Sequence, residues 1–489
     1  MELLFIGHDY KYAVEQIMLM LFPGETPTYP EKLTGPLSAR VSLTRGEERC
    51  TAVTVIKNEA GTYTGRASLN TSALGDDEIS PLHRIVKLSF YRAGIRCLGR
   101  KPEWGALSGV RPGKLMAKIL EIASNDRAAV SEFIRLYDVS PHRAKLCLDT
   151  SKYTLAAAQS LEARDVCLYL GVPFCPTRCA YCSFVSQTVE KSMKLIPPFV
   201  DALLKDIEAT GEVVKEAGLR ITAVYYGGGT PTTLSAEQLD LVCGKMQECF
   251  DLSACREFTV EAGRPDTITK EKLEVLKRRG VTRVSVNPQT MDDAVLETIG
   301  RRHTAQAVLD ALALVREVGG MEVNMDLIAG LPSDTPETFR KTLETVIALA
   351  PENITVHTLA LKKGSRIMLE GTHIPTAEEV SDMLDFAENT LRTHEYEPYY
   401  LYRQKYMSGG FENVGWCKKG TENFYNICIM EELCSIVSMG AGASTKLVSA
   451  TGEMERFFAP KYPLEYINGI EKICSDKSKV KEFDYGLQS

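Results

Sequence analysis

Cys175, Cys179 and Cys182 fall in one short run, Phe174-Cys-Pro-Thr-Arg-Cys-Ala-Tyr-Cys182. A Cys-x3-Cys-x2-Cys spacing lets a single loop present three thiolates, which suits a four-iron cluster with one iron left without a protein ligand. Such an iron can bind and activate a small molecule as well as pass electrons on. Two plainer readings compete. Buried cysteine often serves as a small apolar residue. A structural zinc ion also takes thiolates, but it asks for four ligands from paired knuckles, and no second knuckle lies nearby. The apolar run Val166–Val172 leading into the loop and the aromatic Tyr181 within it favour the cluster.

Something must hold that loop in place. From Asp165 to about Pro375 the chain alternates short β-rich runs with longer helical ones. The pattern predicts strands at Val166–Val172, Ile221–Tyr226, Glu257–Ala262, Thr282–Val286, Met321–Ile328 and Ile354–Ala360. Between them it predicts helices at Pro198–Ala217, Ala236–Phe250, Lys270–Arg279, Ala305–Val318 and Thr335–Leu349. Their N-caps are expected at Ser235, Thr269, Thr304 and Ser333 or Asp334. Alternation at this spacing gives a parallel sheet with helical crossovers. Six units are too few for a closed eightfold barrel, so the expected fold is α/β, an open, partial (β/α)6 TIM-like barrel. Barrels gather their ligands at the carboxyl ends of the strands, and the cysteine loop follows the first strand.

The other predicted strands also end in polar or glycine-rich residues. Tyr226-Gly-Gly-Gly-Thr-Pro-Thr232 leaves the backbone bare for close approach, although a glycine turn alone is a weak signal. Glu261 closes the third strand, Asn287-Pro-Gln289 follows the fourth, and Asp326 sits in the fifth amid Met325, Leu327 and Ile328. A carboxylate in such apolar company must be paired or face an opening. Each residue alone fits a structural role. On successive strand ends they together predict a ligand site.

Composition agrees with an enzyme in water. The 489 residues allow two to four domains, and a net charge of -7 gives no electrostatic case for nucleic acid. No apolar run reaches the roughly 18 residues that span a bilayer. Met1-Glu-Leu-Leu-Phe-Ile lacks a basic leader and reads as a strand. The remaining cysteines are scattered, which suggests a reducing, cytoplasmic setting without a disulfide framework. Cys417, Cys428 and Cys434 are spaced too irregularly to suggest a second cluster.

Residues 165–365 resemble the radical S-adenosylmethionine (SAM) core of the oxygen-independent coproporphyrinogen III oxidase (dehydrogenase) family, which also holds haem chaperones and haem-degrading proteins. The resemblance rests on Tyr169 to Cys182, Gly227-Gly-Gly-Thr-Pro-Thr232, Glu261, Gln289, Gly300-Arg-Arg-His-Thr304 and Asp326-Leu-Ile-Ala-Gly-Leu-Pro332. It continues in Tyr399-Tyr-Leu-Tyr-Arg-Gln404 and Met439-Gly-Ala-Gly-Ala-Ser444. It implies a 4Fe–4S cluster on Cys175, Cys179 and Cys182, with SAM at the open iron. By the same likeness Tyr169 and Tyr181 pack beside cluster and cofactor, and Gly228, Gly229 and Thr230 meet the methionine end. Arg301 pairs with a carboxylate, which its fork geometry suits. Glu261, Gln289 and Asp326 take hydroxyl or amine hydrogen bonds from the cofactor, and Ala360 lies against the adenine.

Two departures narrow the likeness. Coproporphyrinogen-converting members often carry a fourth cysteine two residues after the third, where this chain has Phe184. The chaperone branch shows a His-Asn-x-x-Tyr-Trp element, of which Thr421–Met430 keeps only Tyr425-Asn426. The chain is most similar to a dehydrogenase-like branch with a long N-terminal extension. The implied domains are residues 1–160, a small α/β part and then a helical part; 161–375, the radical SAM core; and 376–489, a smaller C-terminal domain of the coproporphyrinogen oxidase-like type. In the extension Leu3–Ile6 and Thr51–Ile56 read as strands, Val14–Leu21 as a helix, and Trp104 as a packing anchor. The charge run Lys472–Glu482 reads as a solvated tail.

The implied activity is oxidative decarboxylation of two propionates of coproporphyrinogen III to vinyl groups, giving protoporphyrinogen IX. A deoxyadenosyl radical takes a β-hydrogen from each propionate, and loss of carbon dioxide and one electron leaves the alkene. The alternatives are a haem carrier that keeps the cofactor site and a radical enzyme acting on haem itself. Expected partners are the tetrapyrrole and a reductant such as flavodoxin or ferredoxin. Arg178, Arg403 and Lys405 are candidate cations for the substrate's carboxylates.

Overall fold

The N-terminal residues alternate apolar and polar side chains over long runs, as half-buried strands do. They build a four-stranded sheet of β1 (Glu2–Ile6), β2 (Ser38–Arg45), β3 (Arg49–Asn58) and β4 (Gly61–Asn70). β1 runs parallel to β2, and β2, β3 and β4 follow as antiparallel neighbours. Leu3, Val41, Leu43, Ala52 and Ile56 share one core with the helices Lys11–Leu21 and Ile79–Leu98. The helices Pro112–Ile122, Asp126–Tyr137 and Pro141–Ser160 follow. Trp104 is buried, as a packing anchor is. β2 and β4 were not expected. Their alternate positions carry Ser, Thr and Arg, which hide a solvated sheet face from an apolar count.

The computed structural model describes residues 1–74, 79–109, 111–182, 187–360, 374–404 and 410–486. It separates into two units, residues 1–148 and 149–489. The second is built on an eleven-stranded sheet. β5 (Asp165–Val172) leads into a short pair, β6 (Phe174–Cys175) with β7 (Gln187–Thr188). Then come β8 (Arg220–Gly228), β9 (Glu257–Val260), β10 (Arg283–Ser285), β11 (Glu322–Ala329) and β12 (Asn353–Thr358), each parallel to its neighbour. The crossovers are the helices Ile196–Glu216, Ala236–Cys249, Lys270–Arg278, Ala305–Val318 and Pro336–Ala348. This is the expected open (β/α)6 barrel.

Three of the expected N-caps are in place: Ser235, Thr269 and Thr304 accept from the amides of Gln238, Lys272 and Ala307. The fourth needs correction. Neither Ser333 nor Asp334 caps the last helix; Thr335 does, in a capping box with Thr338. Pro336 explains it, because proline prefers the first helical position and so makes its predecessor the cap.

The barrel's open edges are closed by later strands. β13 (Glu397–Arg403) and β14 (Glu412–Cys417) continue the sheet beyond β12, with β14 antiparallel to it. On the other side β15 (Ser435–Gly440) lies parallel to β5, followed by antiparallel β16 (Ser444–Val448) and β17 (Met454–Phe458). The helix Phe424–Glu431 packs on the inward face against Cys167, Tyr169, Ala223 and Tyr225. Its first amides, on Phe424 and Tyr425, donate to Glu257 at 3.0 and 2.8 Å, so a carboxylate meets the positive end of the helix.

The run Lys472–Glu482 is not a solvated tail. It forms the helices Ile470–Asp476 and Ser478–Glu482, joined at a buried Lys477. The Lys477 ammonium pairs with buried Asp206 at 2.7 Å and donates to the Ser438 carbonyl at 2.6 Å. Asp206 also accepts from the Gly440 amide and the Tyr466 hydroxyl. A buried, fully engaged ion pair pins this segment, while the other charges of the run hide it in the sequence.

Candidate active site

The cysteine loop hangs from the carboxyl end of β5 and is tied down by backbone bonds. The Ala180 amide donates to the Ile299 carbonyl at 2.9 Å, the Thr177 hydroxyl to the Gly300 carbonyl at 3.2 Å, and the Cys182 amide to the Cys179 carbonyl at 3.2 Å. Arg264 is buried and reaches Thr177 at 3.0 Å while pairing with Asp266. Cys175, Cys179 and Cys182 are half-buried, and none is in a disulfide.

The glycine turn after β8 serves as the platform of this loop. The amides of Gly229 and Thr230 donate to the Val172 and Phe174 carbonyls, both at 2.7 Å, and the Thr230 hydroxyl lies 3.6 Å from Cys175 Sγ. A Cβ on Gly229 would stand 2.4 Å from the Phe174 carbonyl oxygen, so only glycine fits. Those donors are committed to the loop itself.

Across the mouth, Asp326 on β11 is the best-paired carboxylate. It accepts from Asn287 and Asn324, both at 2.8 Å, and lies 3.7 Å from His357. Burial pushes its pKa up, but His357, Asn324 and Thr355 outweigh that and hold it below the ordinary carboxylate value. Glu261 behaves oppositely. Burial pushes it up to about 7, against the pull of the Tyr225 hydroxyl at 2.6 Å and with added repulsion from Asp326. Two carboxylates in one mouth thus hold protons differently near neutrality. Gln289 is buried in a left-handed conformation, φ 67°, held by bonds to Asp326 and Ile328. A strained non-glycine residue is kept where its surroundings insist on it, often at a functional site. Ala360 is half-buried just past the end of β12.

Arg301 and Tyr181 join the loop to the rest of the mouth. The buried Arg301 guanidinium donates to the Asn287 carbonyl at 2.6 Å and to the Tyr181 hydroxyl at 3.3 Å, while its Nε has no hydrogen-bond partner. Tyr181 packs against Leu296, Ile299, Ile328 and Leu359. Tyr169 stands lower, in a group with Tyr225 and Tyr425 at interplanar angles of 14° and 19°.

Several residues were missed at the level of sequence. His303 is buried with neither ring nitrogen hydrogen-bonded, and burial, with Arg301 and Arg264, holds it down to about 4. Its place in Gly300-Arg-Arg-His-Thr304 was the available signal. Asn324 and His357 join Asn287, from the strand-end run already singled out, in supporting Asp326, and only the sheet register brings them together. Of the candidate cations, Arg178 is exposed on the loop, whereas Arg403 is buried and donates to the Gly410 carbonyl at 3.1 and 2.7 Å. Lys405 and Phe184 lie outside the described residues.

Residues 169–346 match the sequence model of the radical SAM superfamily. The oxygen-independent coproporphyrinogen-III oxidase-like protein HemZ of Bacillus subtilis is 40% identical over 391 residues, 78% of each chain. This chain is a radical SAM protein of the coproporphyrinogen-III oxidase-like family. The heme chaperone HemW of Haemophilus influenzae is 27% identical over 316 residues, 64% of this chain and 78% of that one. The structure of coproporphyrinogen III oxidase HemN from Escherichia coli, a radical SAM enzyme, shares the fold. It aligns with a TM-score of 0.51 at 22% identity over 65% of this chain and 72% of that one.

The cofactors of a radical SAM protein are a 4Fe–4S cluster and S-adenosylmethionine, and the residues present fit both. Three thiols on one anchored loop match the number of protein ligands that a four-iron cluster with one open iron takes. The Arg301 Nε and His303 nitrogens, which lack hydrogen-bond partners, and the carboxyl groups of Glu261 and Asp326 fit the charged and polar groups of a zwitterionic nucleoside. Among the described residues no helix is long and apolar enough to cross a membrane.

Proposed function

We propose that this radical SAM protein catalyses the oxidative decarboxylation of porphyrinogen propionates to vinyl groups, with coproporphyrinogen III as the substrate. The observation that carries this reading is a three-cysteine loop beside a polar mouth that stands on a packed aromatic floor. Tyr169, Tyr225 and Tyr425 lie with near-parallel rings, and Tyr225 and Tyr425 are 4.5 Å apart. Rings packed in this way close the mouth from below and leave the substrate, whose pyrroles are joined by sp3 carbons, to bind among the polar groups above them. The name of the HemZ relative points the same way.

When bound, the two cofactors supply a deoxyadenosyl radical that takes one hydrogen atom from the substrate. The chain's own residues bind, orient and exclude water. Cys175, Cys179 and Cys182 hold the cluster, and Arg301 receives the cofactor's carboxylate. Asp326, ionised at neutral pH, accepts from hydroxyl groups. Glu261, with its raised pKa, can donate its proton as well as accept one. Arg178, exposed on the cysteine loop, is the cation assigned to a substrate propionate, which must be ionised to leave as carbon dioxide. Each vinyl group also releases one electron, carried off by a redox partner; flavodoxin or ferredoxin suits the reducing step.

Anaerobically reconstituted protein should be given SAM, reductant and coproporphyrinogen III. Formation of 5'-deoxyadenosine in step with a vinyl product is expected. Tight haem retention without substrate-dependent SAM cleavage would overturn the reading and favour a carrier, as the name of the HemW relative suggests.

A further inference from the structure

On the inward face of the barrel, three cysteine sulfurs outside the loop converge. Cys167 is on β5, Cys428 on the helix Phe424–Glu431, and Cys434 in the turn before β15. Their Sγ atoms all lie within 4.8 Å of one another, with Cys167 and Cys434 at 3.7 Å. Among the described residues no other three His, Cys, Asp or Glu side chains converge this way. None of the three is in a disulfide. Cys167 and Cys428 are fully buried, and Cys434 keeps 8% exposure. The surroundings are Ala157, Ala223, Ile427, Ile436 and Tyr425, with the Thr222 hydroxyl 3.8 Å from Cys167 Sγ.

We propose that Cys167, Cys428 and Cys434 form a three-sulfur site for a single soft monovalent cation of the copper(I) class. In an equilateral triangle with sides of 3.7 to 4.8 Å, the centre lies about 2.1–2.8 Å from each corner, which brackets a metal–thiolate bond of ~2.3 Å. Sulfurs this close leave room for one ion and not for a four-iron cube. Thiolates select copper(I) and zinc, but zinc asks for four ligands, and among the described residues no fourth Cys, His or carboxylate joins the group. Each thiol that becomes a thiolate ligand releases one proton to solvent, and no oxidation state changes. Two thiolates and one neutral thiol around a monovalent cation leave a single negative charge, which an apolar floor tolerates better than three thiolates.

The full-length protein, with its iron–sulfur cluster reconstituted anaerobically, should be given one equivalent of copper(I) as its acetonitrile complex beside a competing chelator. Copper and iron are then counted after desalting. One copper per chain is expected, with unchanged iron and an X-ray absorption spectrum showing three sulfurs around copper. Cys434→Ala should lower retained copper at least tenfold while iron stays constant. A chain with Cys175, Cys179 and Cys182 all changed to Ala should keep its copper. Copper lost with the loop cysteines, no copper on the wild type, or zinc retained instead from an equimolar mixture overturns the proposal. Should Cys434→Ala fail to fold, the wild-type spectrum decides: three sulfurs without displaced iron supports the site, and any other sulfur count overturns it.

Discussion

Cys175, Cys179 and Cys182 hang from one loop at the polar mouth of the barrel, whereas Cys167, Cys428 and Cys434 come from three elements and meet in its sealed floor. The mouth set is half-buried and neighbours polar atoms without partners, among them Arg301 Nε. The floor set sits among alanine, isoleucine and tyrosine. Both supply three sulfurs, but depth sorts their chemistry. Thiols at the mouth can hold a cluster that must touch a cofactor and receive electrons. Thiols in the floor can hold only what is small enough to be swallowed.

The mouth half of this contrast breaks most visibly at Cys179. Cys179→Ala removes a direct ligand, so iron content and the visible chromophore should fall to background. A variant that keeps both would show that the cluster is elsewhere. Arg301→Ala is expected to keep the cluster but weaken SAM binding about tenfold to hundredfold, corresponding to a charge-assisted bond of about 1.5–3 kcal/mol. Equilibrium dialysis with labelled SAM reads this directly. Lysine at 301 should rescue only in part, and Ala at the exposed Arg302 should bind as wild type does.

A smaller effect separates the two carboxylates of the mouth. The pKa of Glu261 is raised to about 7 in the fold, so the fold favours its protonated form. The stability this gives is complete below the ordinary carboxylate pKa and is lost as pH rises through about 7. Denaturant unfolding of cluster-free protein from pH 4 to 8 should therefore show wild type losing stability relative to Glu261→Gln; parallel curves would remove Glu261 from this role. The floor gives the smallest change. Cys428→Ala should leave iron at the wild-type level and cost only about 1 kcal/mol in unfolding free energy. Loss of iron in that variant would tie the two sulfur sets together.

The core strands, the crossover helices and the cysteine loop were legible because each is a local signal. A β-rich run, an N-cap such as Ser235 and a Cys-x3-Cys-x2-Cys spacing all lie within a few residues. Thr335 lies one or two positions beyond the expected caps because Ser333 and Asp334, both capping residue types, precede it, and only Pro336 at the first helical position singles it out. Lys477 was read as solvated because its partner, Asp206, is remote in sequence and the intervening chain gives no hint of the pairing. The floor cysteines fail in the same way: Cys167 and Cys434 are brought together by the parallel register of β5 with β15, which no spacing rule contains. Glu261 and Asp326 could be placed at strand ends, but their opposite proton affinities depend on Asn287, Asn324 and His357, which only the folded sheet assembles.

The placing of β15 beside β5 also has a consequence in time. Protein synthesis makes Val172 some 268 residues before Gly440. At about 5–20 residues per second, the nascent chain carries its cysteine motif for roughly 13–54 s before the flanking strand exists. During that interval β5 can pair with β8 alone, and its other row of backbone donors and acceptors stays open to whatever is near. Delivery of iron and sulfide to the loop thus has a clock set by the ribosome, and a message truncated ahead of Gly440 yields a metal-binding motif without the wall that shelters it.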